Sequence, residues 1–311
     1  MTGPMAERAV GAAPPPADQI QPFLLEVPAL RGRLVRMGPL VDSILNRHDY
    51  PQPVAALLGE LLALAGVLTS LLKFDGIFTL QTKGDGPVGM LVADMTTAGE
   101  LRGYAEYDQA RLAAAGGATA SARALMGEGH MAFTVDQGVN TERYQGIVEL
   151  KGETLAEILA HYFRQSEQLK TAVELAARRV EGGWRAGGLL LQQLPEEEAV
   201  ALPLATDEED SWRRAVVLMA SCTARELLDP ALSAHDLLYR LFHDERVRVF
   251  EPRALSPGCR CSRGRIERIL RSLPRDEVAD MKVGGEVVMT CQFCNIDFRF
   301  DERALERIYA H

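Results

Sequence analysis

Two pairs of cysteines near the end of the chain constrain its fold more than any other feature of the sequence. They are Cys259-Arg260-Cys261 and Cys291-Gln292-Phe293-Cys294, and they contain four of the five cysteines. Zinc binds four soft donors at tetrahedral corners, with Zn–S distances of about 2.3 Å. A close pair supplies two sulfurs from one turn, so the fold has to bring only two turns together. The sequence therefore predicts one zinc ion bound by Cys259, Cys261, Cys291 and Cys294.

The predicted metal site suggests either a static staple or a switch. A closed shell of four thiolates leaves no open position for substrate, so the metal is not expected to be a hydrolytic catalyst. Small metal domains draw much of their stability from zinc, on the order of 10–16 kcal/mol of apparent binding energy. Oxidation of the thiolates to sulfenic acids and then disulfides would remove the ligands and unfold the segment. Spacing alone favours the static staple, and both interpretations stay open at this point.

The two pairs are expected to differ as disulfides. A bond between Cys291 and Cys294 closes a favourable ring, whereas one between Cys259 and Cys261 must bend an i,i+2 segment and should be easily reduced. Three nearby cations are expected to favour the reactive thiolate form. They are Arg260, Arg263 and Arg265.

Hydrophobic periodicity before the cysteines predicts an α+β protein. Residues 76–82 alternate as a half-buried strand, and the turn Gly84-Asp85-Gly86-Pro87 leads to a second apolar run, which is typical of a hairpin. Residues 155–169 carry a single apolar stripe, and Thr154 with Glu157 forms a capping box at the start.

A run of acidic residues from position 207 to 210 marks a change in composition. After it, residues 212–242 predict two amphipathic helices, separated at Asp229-Pro230. Ser233 and Asp236 are positioned to cap the second helix. These apolar stripes need a surface to cover.

The chain is therefore predicted to consist of an N-terminal α/β core domain with β-sheets and helices, a helical linker and a small C-terminal zinc-binding domain, all preceded by a disordered tail. The predicted bounds are 1–19 for the tail, 20–205 for the core domain, 206–255 for the linker and 256–311 for the zinc domain.

Charge and hydropathy limit the partners of the chain. The formal net charge of -9 disfavours nucleic acid or an anionic membrane as the main partner, because phosphate binding requires a basic surface. Residues 54–72 are apolar but are interrupted by Glu60, Gly59 and Gly66, so we predict a buried core helix rather than a membrane span. Residues 1–16 lack the apolar core of a signal peptide. A cytoplasmic location is expected, where cysteines are usually reduced.

Other motifs predict neither catalytic nor cofactor-binding residues. Gly84, Gly86 and Gly89 match the dinucleotide fingerprint GxGxxG, but Pro87 and a strand-like run replace the helix that this motif should open. The sequence contains no GxxxxGK[ST], GxSxG or HExxH motif, so we do not expect an enzyme. Cys222 stands alone in the first linker helix and is predicted to be a buried small hydrophobe.

Two alternative functions for the cysteine pairs fit the sequence less well. A zinc-ribbon module would bind nucleic acid, but cationic and acidic residues in 256–311 are nearly balanced, which is too little to neutralise several phosphates. A thiol oxidoreductase would use Cys291 and Cys294, but its CxxC motif should open a helix in a thioredoxin-like setting. Here the motif lies between two predicted strands.

Beyond the cysteines, the sequence resembles the heat shock protein 33 family, the thirty-three-kilodalton redox-regulated holdase chaperones. The resemblance covers nearly the whole chain after the tail, and the CxC and CxxC pairs have the family's order and approximate spacing. It also rests on Gly84-Asp85-Gly86-Pro87, Leu101-Arg102-Gly103-Tyr104, Tyr144-Gln145-Gly146-Ile147-Val148, Gln165-Ser166-Glu167-Gln168-Leu169, Ala186-Gly187-Gly188-Leu189-Leu190-Leu191-Gln192 and Tyr239-Arg240-Leu241-Phe242-His243.

The resemblance implies a mechanism that favours the switch. The reduced, zinc-bound protein would be inactive. Oxidation would pair Cys259 with Cys261 and Cys291 with Cys294, release zinc and unfold the linker. The resemblance further implies a homodimer when oxidised, binding of unfolding client proteins without ATP, and transfer of clients to ATP-dependent chaperones after reduction.

The sequence departs from the family pattern at two positions. Many members have a bulky apolar residue two places before the first cysteine, where this chain has Pro257. Many have a proline after the Gln-Ser-Glu-Gln-Leu run, where this chain has Lys170. The first difference is expected to alter how the linker meets the zinc domain, and the second to matter little.

Overall fold

The computed structural model describes residues 17–26, 29–115, 121–138, 143–194 and 208–310. Most of the predicted tail and the first residues of the predicted linker lie outside these ranges. Within them, two large sheets enclose one long helix, and three helices cover the outer face of the first sheet. The α+β class predicted from the sequence is confirmed.

The first sheet is antiparallel and has the strand order β10-β1-β2-β9-β8, with β11 also paired to β1. In β9, three successive leucines, Leu189 to Leu191, are each 0% exposed. Leu190 faces the core around the long helix, while Leu189 and Leu191 face the three outer helices. A strand covered on both faces is apolar throughout. The strands are Gln19–Leu25 (β1), Leu30–Met37 (β2), Thr171–Val180 (β8), Gly183–Gln193 (β9), Val247–Val249 (β10) and Arg253–Ala254 (β11).

The second sheet has the order β12-β5-β4-β3-β6-β7 and is antiparallel except for β12. Its strands are Ile77–Gly84 (β3), Met90–Thr96 (β4), Glu100–Glu106 (β5), Gly129–Asp136 (β6), Tyr144–Glu149 (β7) and Ser256–Pro257 (β12). The predicted hairpin is confirmed, because β3 pairs with β4 up to Lys83 and Met90. Its turn needs glycine, since a Cβ on Gly86 would lie 2.4 Å from the carbonyl oxygen of Leu125.

One long helix fills the space between the two sheets. By length and composition it could cross a membrane, yet 78% of that stretch is buried inside the protein. The prediction of a buried core helix is therefore confirmed. The helices of this part are Pro39–Leu45 (α1), the long helix Gln52–Thr69 (α2), Gln109–Ala114 (α3), Ala122–Met126 (α4) and Leu155–Tyr162 (α5).

The helix predicted over 155–169 is shorter than the sequence pattern indicates. After α5 the chain makes one π-helical turn, Phe163–Glu167, and Gln168 then ends it with a left-handed φ of 54°. The Tyr162 hydroxyl donates to the Glu167 carboxylate over 2.8 Å. This i,i+5 contact suits the wider turn, because π-helical spacing brings residues five apart together.

The two predicted helix caps are present. The Thr154 hydroxyl accepts from the Glu157 amide at 3.1 Å, although the Glu157 carboxylate accepts from the amide of Glu153 rather than Thr154. The Ser233 hydroxyl accepts from the Asp236 amide at 3.0 Å. Caps of this kind each stabilise a protein by about 1 kcal/mol. They can be predicted from the sequence because they depend only on residues close together in the chain.

The chain forms three α-helices in the described part of the predicted linker, where the sequence predicted two in residues 212–242. They are Glu208–Ala220 (α6), Ala224–Leu228 (α7) and Ala234–Phe242 (α8). The unpredicted break comes at Thr223, which forms a complete capping box with Glu226. The predicted break at Asp229-Pro230 is confirmed.

These three helices pack on the outer face of the first sheet, which we call the linker-covered face. Its apolar residues join those of the helices in one buried cluster, separate from the core around α2. The face consists of Phe23, Leu25, Leu30, Leu34, Ala176, Leu189 and Leu191.

The C-terminal segment builds a small core of its own. Its elements are Arg263–Ser272 (α9), Arg275–Asp280 (α10), Val287–Thr290 (β13), Asp297–Phe300 (β14) and Glu302–Ala310 (α11). The predicted pattern of two helices, two strands and a final helix is confirmed. The domain boundaries themselves stay predictions.

Glu60 lies within α2, and burial raises the pKa of its carboxyl from 4.5 to about 7. Because the folded state disfavours the charged form of Glu60, the protein should lose stability as the pH rises from 4.5 to about 7. We expect Glu60→Gln to stabilise the protein by about 1–2 kcal/mol near pH 8 and to have no effect near pH 4. Thermal unfolding at both pH values, with exposed Glu106→Gln as the control, measures this. An equal gain at both pH values would contradict it.

Candidate metal centre

The first cysteine pair follows directly from a strand of the second sheet. In β12, Ser256 pairs with Glu100 of β5, and the Gly258 amide then donates to the Leu101 carbonyl at 2.9 Å. A Cβ on Gly258 would lie 2.5 Å from the Cβ of Glu100, so glycine permits this close approach. The CxC turn is therefore fixed to the edge of the core sheet.

The second pair forms the turn between β13 and β14. The Cys291 amide donates to the Ile296 carbonyl at 3.0 Å, and the Asn295 amide donates to the Cys291 carbonyl at 2.8 Å. Asn295 closes the turn with a left-handed φ of 56°, a conformation that asparagine tolerates. The CxxC motif thus lies between strands, as predicted, and not at the start of a thioredoxin-like helix.

The fold brings the four predicted sulfurs into one cluster. Neighbouring sulfurs are 3.3 Å apart for Cys259 and Cys261, 3.6 Å for Cys259 and Cys291, and 3.3 Å for Cys261 and Cys294. All four lie within 4.8 Å of one another. Tetrahedral zinc with Zn–S bonds of about 2.3 Å separates its sulfurs by roughly 3.8 Å. The donor set and its spacing fit a thiolate-bound metal ion.

The thiols of the cluster differ in acidity. Burial opposes ionisation of Cys259, but hydrogen bonds from the Cys261 amide and from the neighbouring thiols lower the pKa of Cys259 to about 7. Burial raises the pKa of Cys261 and of Cys294. Cys259 is therefore expected to become a thiolate before Cys261 and Cys294 when the cysteines are free of metal.

Hydrogen bonds, rather than the nearby arginines, are the main cause of this acidity. The pKa of Cys259 is lowered chiefly by the Cys261 amide and the other thiols. Arg260 instead forms an ion pair with Asp94, and Arg263 pairs with Glu267 at 3.1 Å. Both guanidinium groups are thus engaged with carboxylates.

The ion pair of Arg260 joins the cysteine cluster to the second sheet. Asp94, in β4, is only 4% exposed. Its carboxylate accepts from the Thr79 hydroxyl at 2.7 Å, from Arg102 Nε at 2.8 Å and from the guanidinium of Arg260. One buried carboxylate therefore holds two residues of its own sheet and the residue between two cysteines.

The second cysteine turn contacts the same part of the core. The guanidinium carbon of Arg102 lies 3.8 Å from the centre of the Phe293 ring, within the range of a cation–π contact. His48 Nε2 is 2.8 Å from the Gln292 carbonyl oxygen, and Asn295 Nδ2 donates to the Arg47 carbonyl at 2.9 Å. Residues that the sequence pattern treats as spacers between cysteines are therefore docking residues. Their only signal in the sequence is a charged and an aromatic side chain at those positions.

The other residues singled out in the sequence lie apart from the cluster. Cys222 is partly buried against the apolar core of the linker helices, and burial raises its pKa to about 11. This agrees with its predicted role as a small hydrophobe. The glycine fingerprint at Gly84, Gly86 and Gly89 leads into strand β4 rather than a helix, which argues against a dinucleotide loop.

Comparisons with known proteins match nearly the whole chain to one family. The family model described as Hsp33 protein matches residues 18–301. The 33 kDa chaperonin of Caulobacter vibrioides strain NA1000 / CB15N is 40% identical over 291 residues, which cover 91% of this chain and 95% of that protein. The 33 kDa chaperonin of Ectopseudomonas mendocina strain ymp is 41% identical over 295 residues, covering 94% and 95%.

A solved structure has the same fold. The crystal structure of the 33 kDa chaperonin from Thermotoga maritima aligns with a TM-score of 0.79 and 25% identity, covering 94% of this chain and 98% of that one. The matching family model spans both sheets, the linker helices and both cysteine pairs. The chain therefore belongs to the Hsp33 protein family, a family of chaperones.

Proposed function

We propose that this protein is a redox-regulated holdase chaperone that works without ATP, inactive while its four cysteines are reduced and zinc-bound. The observation that carries the proposal is the single cluster of four sulfurs, whose two turns dock on the core through Asp94, Arg102 and His48. A change in the sulfurs is thereby transmitted to the sheet. A static staple would need no such contacts.

Cys259, Cys261, Cys291 and Cys294 would hold one zinc ion. When bound, zinc would keep all four sulfurs as thiolates and order the segment around them. Four soft sulfur donors favour zinc over hard cations such as magnesium and calcium, which prefer oxygen ligands. In the described part of the segment, seven residues form its buried apolar cluster, so its own packing contributes little stability compared with the metal.

Oxidation would act on the sulfurs in pairs. In each pair, one hydrogen peroxide, two thiolates and two protons yield one disulfide and two water molecules. We assign the bonds as Cys259–Cys261 and Cys291–Cys294, in line with the family resemblance. Sulfurs of different pairs lie 3.6 and 3.3 Å apart, close to the 3.3 Å within the first pair, so peptide mapping of the oxidised protein decides the pairing. Once both disulfides form, no thiolate remains to bind a metal.

Loss of order at the cysteines would reach the linker through three short strands. Val247–Val249 and Arg253–Ala254 pair with β1 of the first sheet, and Ser256–Pro257 pairs with β5 of the second. Strands this short depend on their neighbours for stability. Release of the cysteine turns would loosen them in series and free helices α6 to α8, which would uncover the linker-covered face.

The uncovered face explains the proposed partners. An apolar patch of this kind binds the exposed hydrophobic segments of unfolding client proteins. Two such faces also bury each other, which accounts for a homodimer in the oxidised state. Reduction would restore the linker and pass clients to ATP-dependent chaperones. The proposed location is the cytoplasm, where the cysteines would be reduced before stress.

Treatment of the reduced, zinc-loaded protein with peroxide and mild heat tests the proposal directly. We expect zinc release and suppression of client aggregation to appear together and to reverse with dithiothreitol. Zinc is followed with a colorimetric chelator, and aggregation of a heat-labile enzyme by light scattering. Cys222→Ser, which leaves all four ligands in place, is the control and should behave like the natural protein. Equal suppression by the reduced, zinc-loaded protein would rule out the switch.

Asp94→Asn tests the docking of the cysteine cluster without altering any sulfur. The substitution leaves two largely buried guanidinium groups, of Arg102 and Arg260, without their carboxylate, and breaking a buried pair commonly costs about 3–5 kcal/mol. We expect peroxide to release zinc from this variant at least about threefold faster, because the cysteine cluster is held less tightly on the core. Asp136→Asn, which breaks an exposed pair with Arg143, is the matched control. Identical release rates for Asp94→Asn and the natural protein would contradict the coupling.

A further inference from the structure

The side chain of Arg36, in β2, donates hydrogen bonds to main-chain carbonyls of the linker. Its Nε donates to the Leu227 carbonyl at 3.0 Å, and its Nη atoms donate to the carbonyls of Glu226, Asp229 and Leu232. All four acceptors lie where α7 ends and the chain turns toward α8. Among the described residues, no carboxylate lies within ion-pair distance of Arg36. The guanidinium therefore hydrogen-bonds the main chain of the segment, and the nearby charge of the Asp229 carboxylate also favours it.

A hollow for an apolar side chain lies beside Arg36. Gly187 of β9 is the cross-strand partner of Arg36, so both positions face the same side of the sheet. A Cβ on Gly187 would lie 2.9 Å from the Cγ of Leu227, which is only 2% exposed. The Leu227 side chain thus lies in a space that exists because residue 187 has no side chain. Arg36 and Gly187 together form what we call the paired site.

The linker does not fill all the space at the paired site. A cavity of 310 Å³ remains there, lined by Gln19, Arg36, Arg185, Leu227 and Leu232 among others. The Gln19 Oε1 atom is buried and receives no hydrogen bond among the described residues. The cavity can therefore accept side chains larger than those of the linker, and Gln19 can accept a further N–H donor.

We propose that the paired site is a client anchor and that linker residues 226–232 occupy it as an internal stand-in for a client segment. The partner it fits is the carboxyl end of a helix or a helix-to-loop turn that carries a leucine-sized side chain. Such an end has carbonyls without helical partners, which Arg36 receives. The apolar side chain enters the hollow at Gly187. This inference rests on the proposed holdase function and names the chemistry of its client.

This chemistry suits a chaperone that binds many proteins. Main-chain carbonyls are present in every client, so Arg36 imposes no sequence requirement. An exposed leucine-sized side chain next to a frayed helix end is rare in folded proteins and common in unfolding ones, because folding buries such residues. The paired site thus selects for the unfolded state rather than for a sequence.

A synthetic peptide of residues 223–233, acetylated, amidated and fluorescently labelled, tests the paired site. Fluorescence anisotropy measures its binding to the full-length protein, both reduced with zinc and oxidised by peroxide. We expect saturable binding to the oxidised protein and none to the reduced protein, whose own linker occupies the site. In the oxidised protein, Arg36→Gln should weaken binding by at least about tenfold, since hydrogen bonds from a charged donor are lost. Gly187→Val should weaken it similarly by filling the hollow.

Two controls separate recognition from general damage. Arg33→Gln removes another arginine of β2, which donates to the carbonyls of Gly32 and Ser70 on the opposite face, so peptide binding should stay unchanged. A peptide with Leu227 replaced by alanine should bind the natural protein at least about tenfold more weakly, and this arm needs no folded variant. Circular dichroism confirms that each variant is folded.

The outcomes distinguish this inference from the proposed function. The paired site is overturned if the peptide binds the natural protein, Arg36→Gln and Gly187→Val with equal affinity. It is also overturned if the alanine peptide binds as tightly as the natural peptide, or if the reduced protein binds the peptide as tightly as the oxidised protein. If aggregation suppression still appears on oxidation in that case, the holdase function stands. If the oxidised protein binds the peptide selectively but does not suppress aggregation, the paired site stands as a peptide-binding site, while the holdase function and the role of client anchor both fail.

Discussion

The carboxylate of Asp94 is the interaction on which the junction between the core and the cysteine segment depends. It is buried, and it accepts hydrogen bonds from Thr79 and Arg102 on its own sheet and from Arg260 between two cysteines. Separating a buried carboxylate from a cation is costly, because neither charge regains full hydration while the other partners stay in place. The cysteine turns therefore cannot move as a unit without exposing Asp94. Electrostatics and the short strand β12 hold the same junction, so they are expected to fail together.

Between the last linker helix and the first cysteine, the chain passes over both sheets in sequence. Residues 247–254 add two short strands to β1, Leu255 inserts into the core around α2, and Ser256–Pro257 joins β5. Each of these contacts is small, and each places the next one correctly. Local stability in proteins varies with the number of buried contacts, and weak contacts in series open cooperatively. Under the proposed function, this arrangement would carry a chemical change at four sulfurs to helices that pack on a different sheet.

Features that depend on sequence neighbours could be predicted, and features that depend on distant contacts could not. The cysteine pairs, the β3–β4 hairpin and the caps at Thr154 and Ser233 follow from local spacing. The π-helical turn after α5 was missed because it depends on a contact between Tyr162 and Glu167 that helical periodicity does not encode. Arg36 was missed for a related reason. A single arginine in a strand gives no sign that four carbonyls some 190 residues later in the chain will converge on it.

The backbone contacts of Arg36 also bear on how a covered surface can be released. In the ordered linker, α7 and its turn are held next to the sheet by the same chain, so at the proposed paired site they would compete with a client at a high effective concentration. Once the linker is disordered, it must lose conformational entropy each time it binds the sheet again. This loss costs roughly 1–2 kcal/mol per residue for the backbone. Only a few residues need to lose order before an intermolecular ligand can compete. An occupant bound through main-chain carbonyls and one leucine is readily replaced by another segment of the same chemistry, which is what a surface serving many unfolding proteins requires.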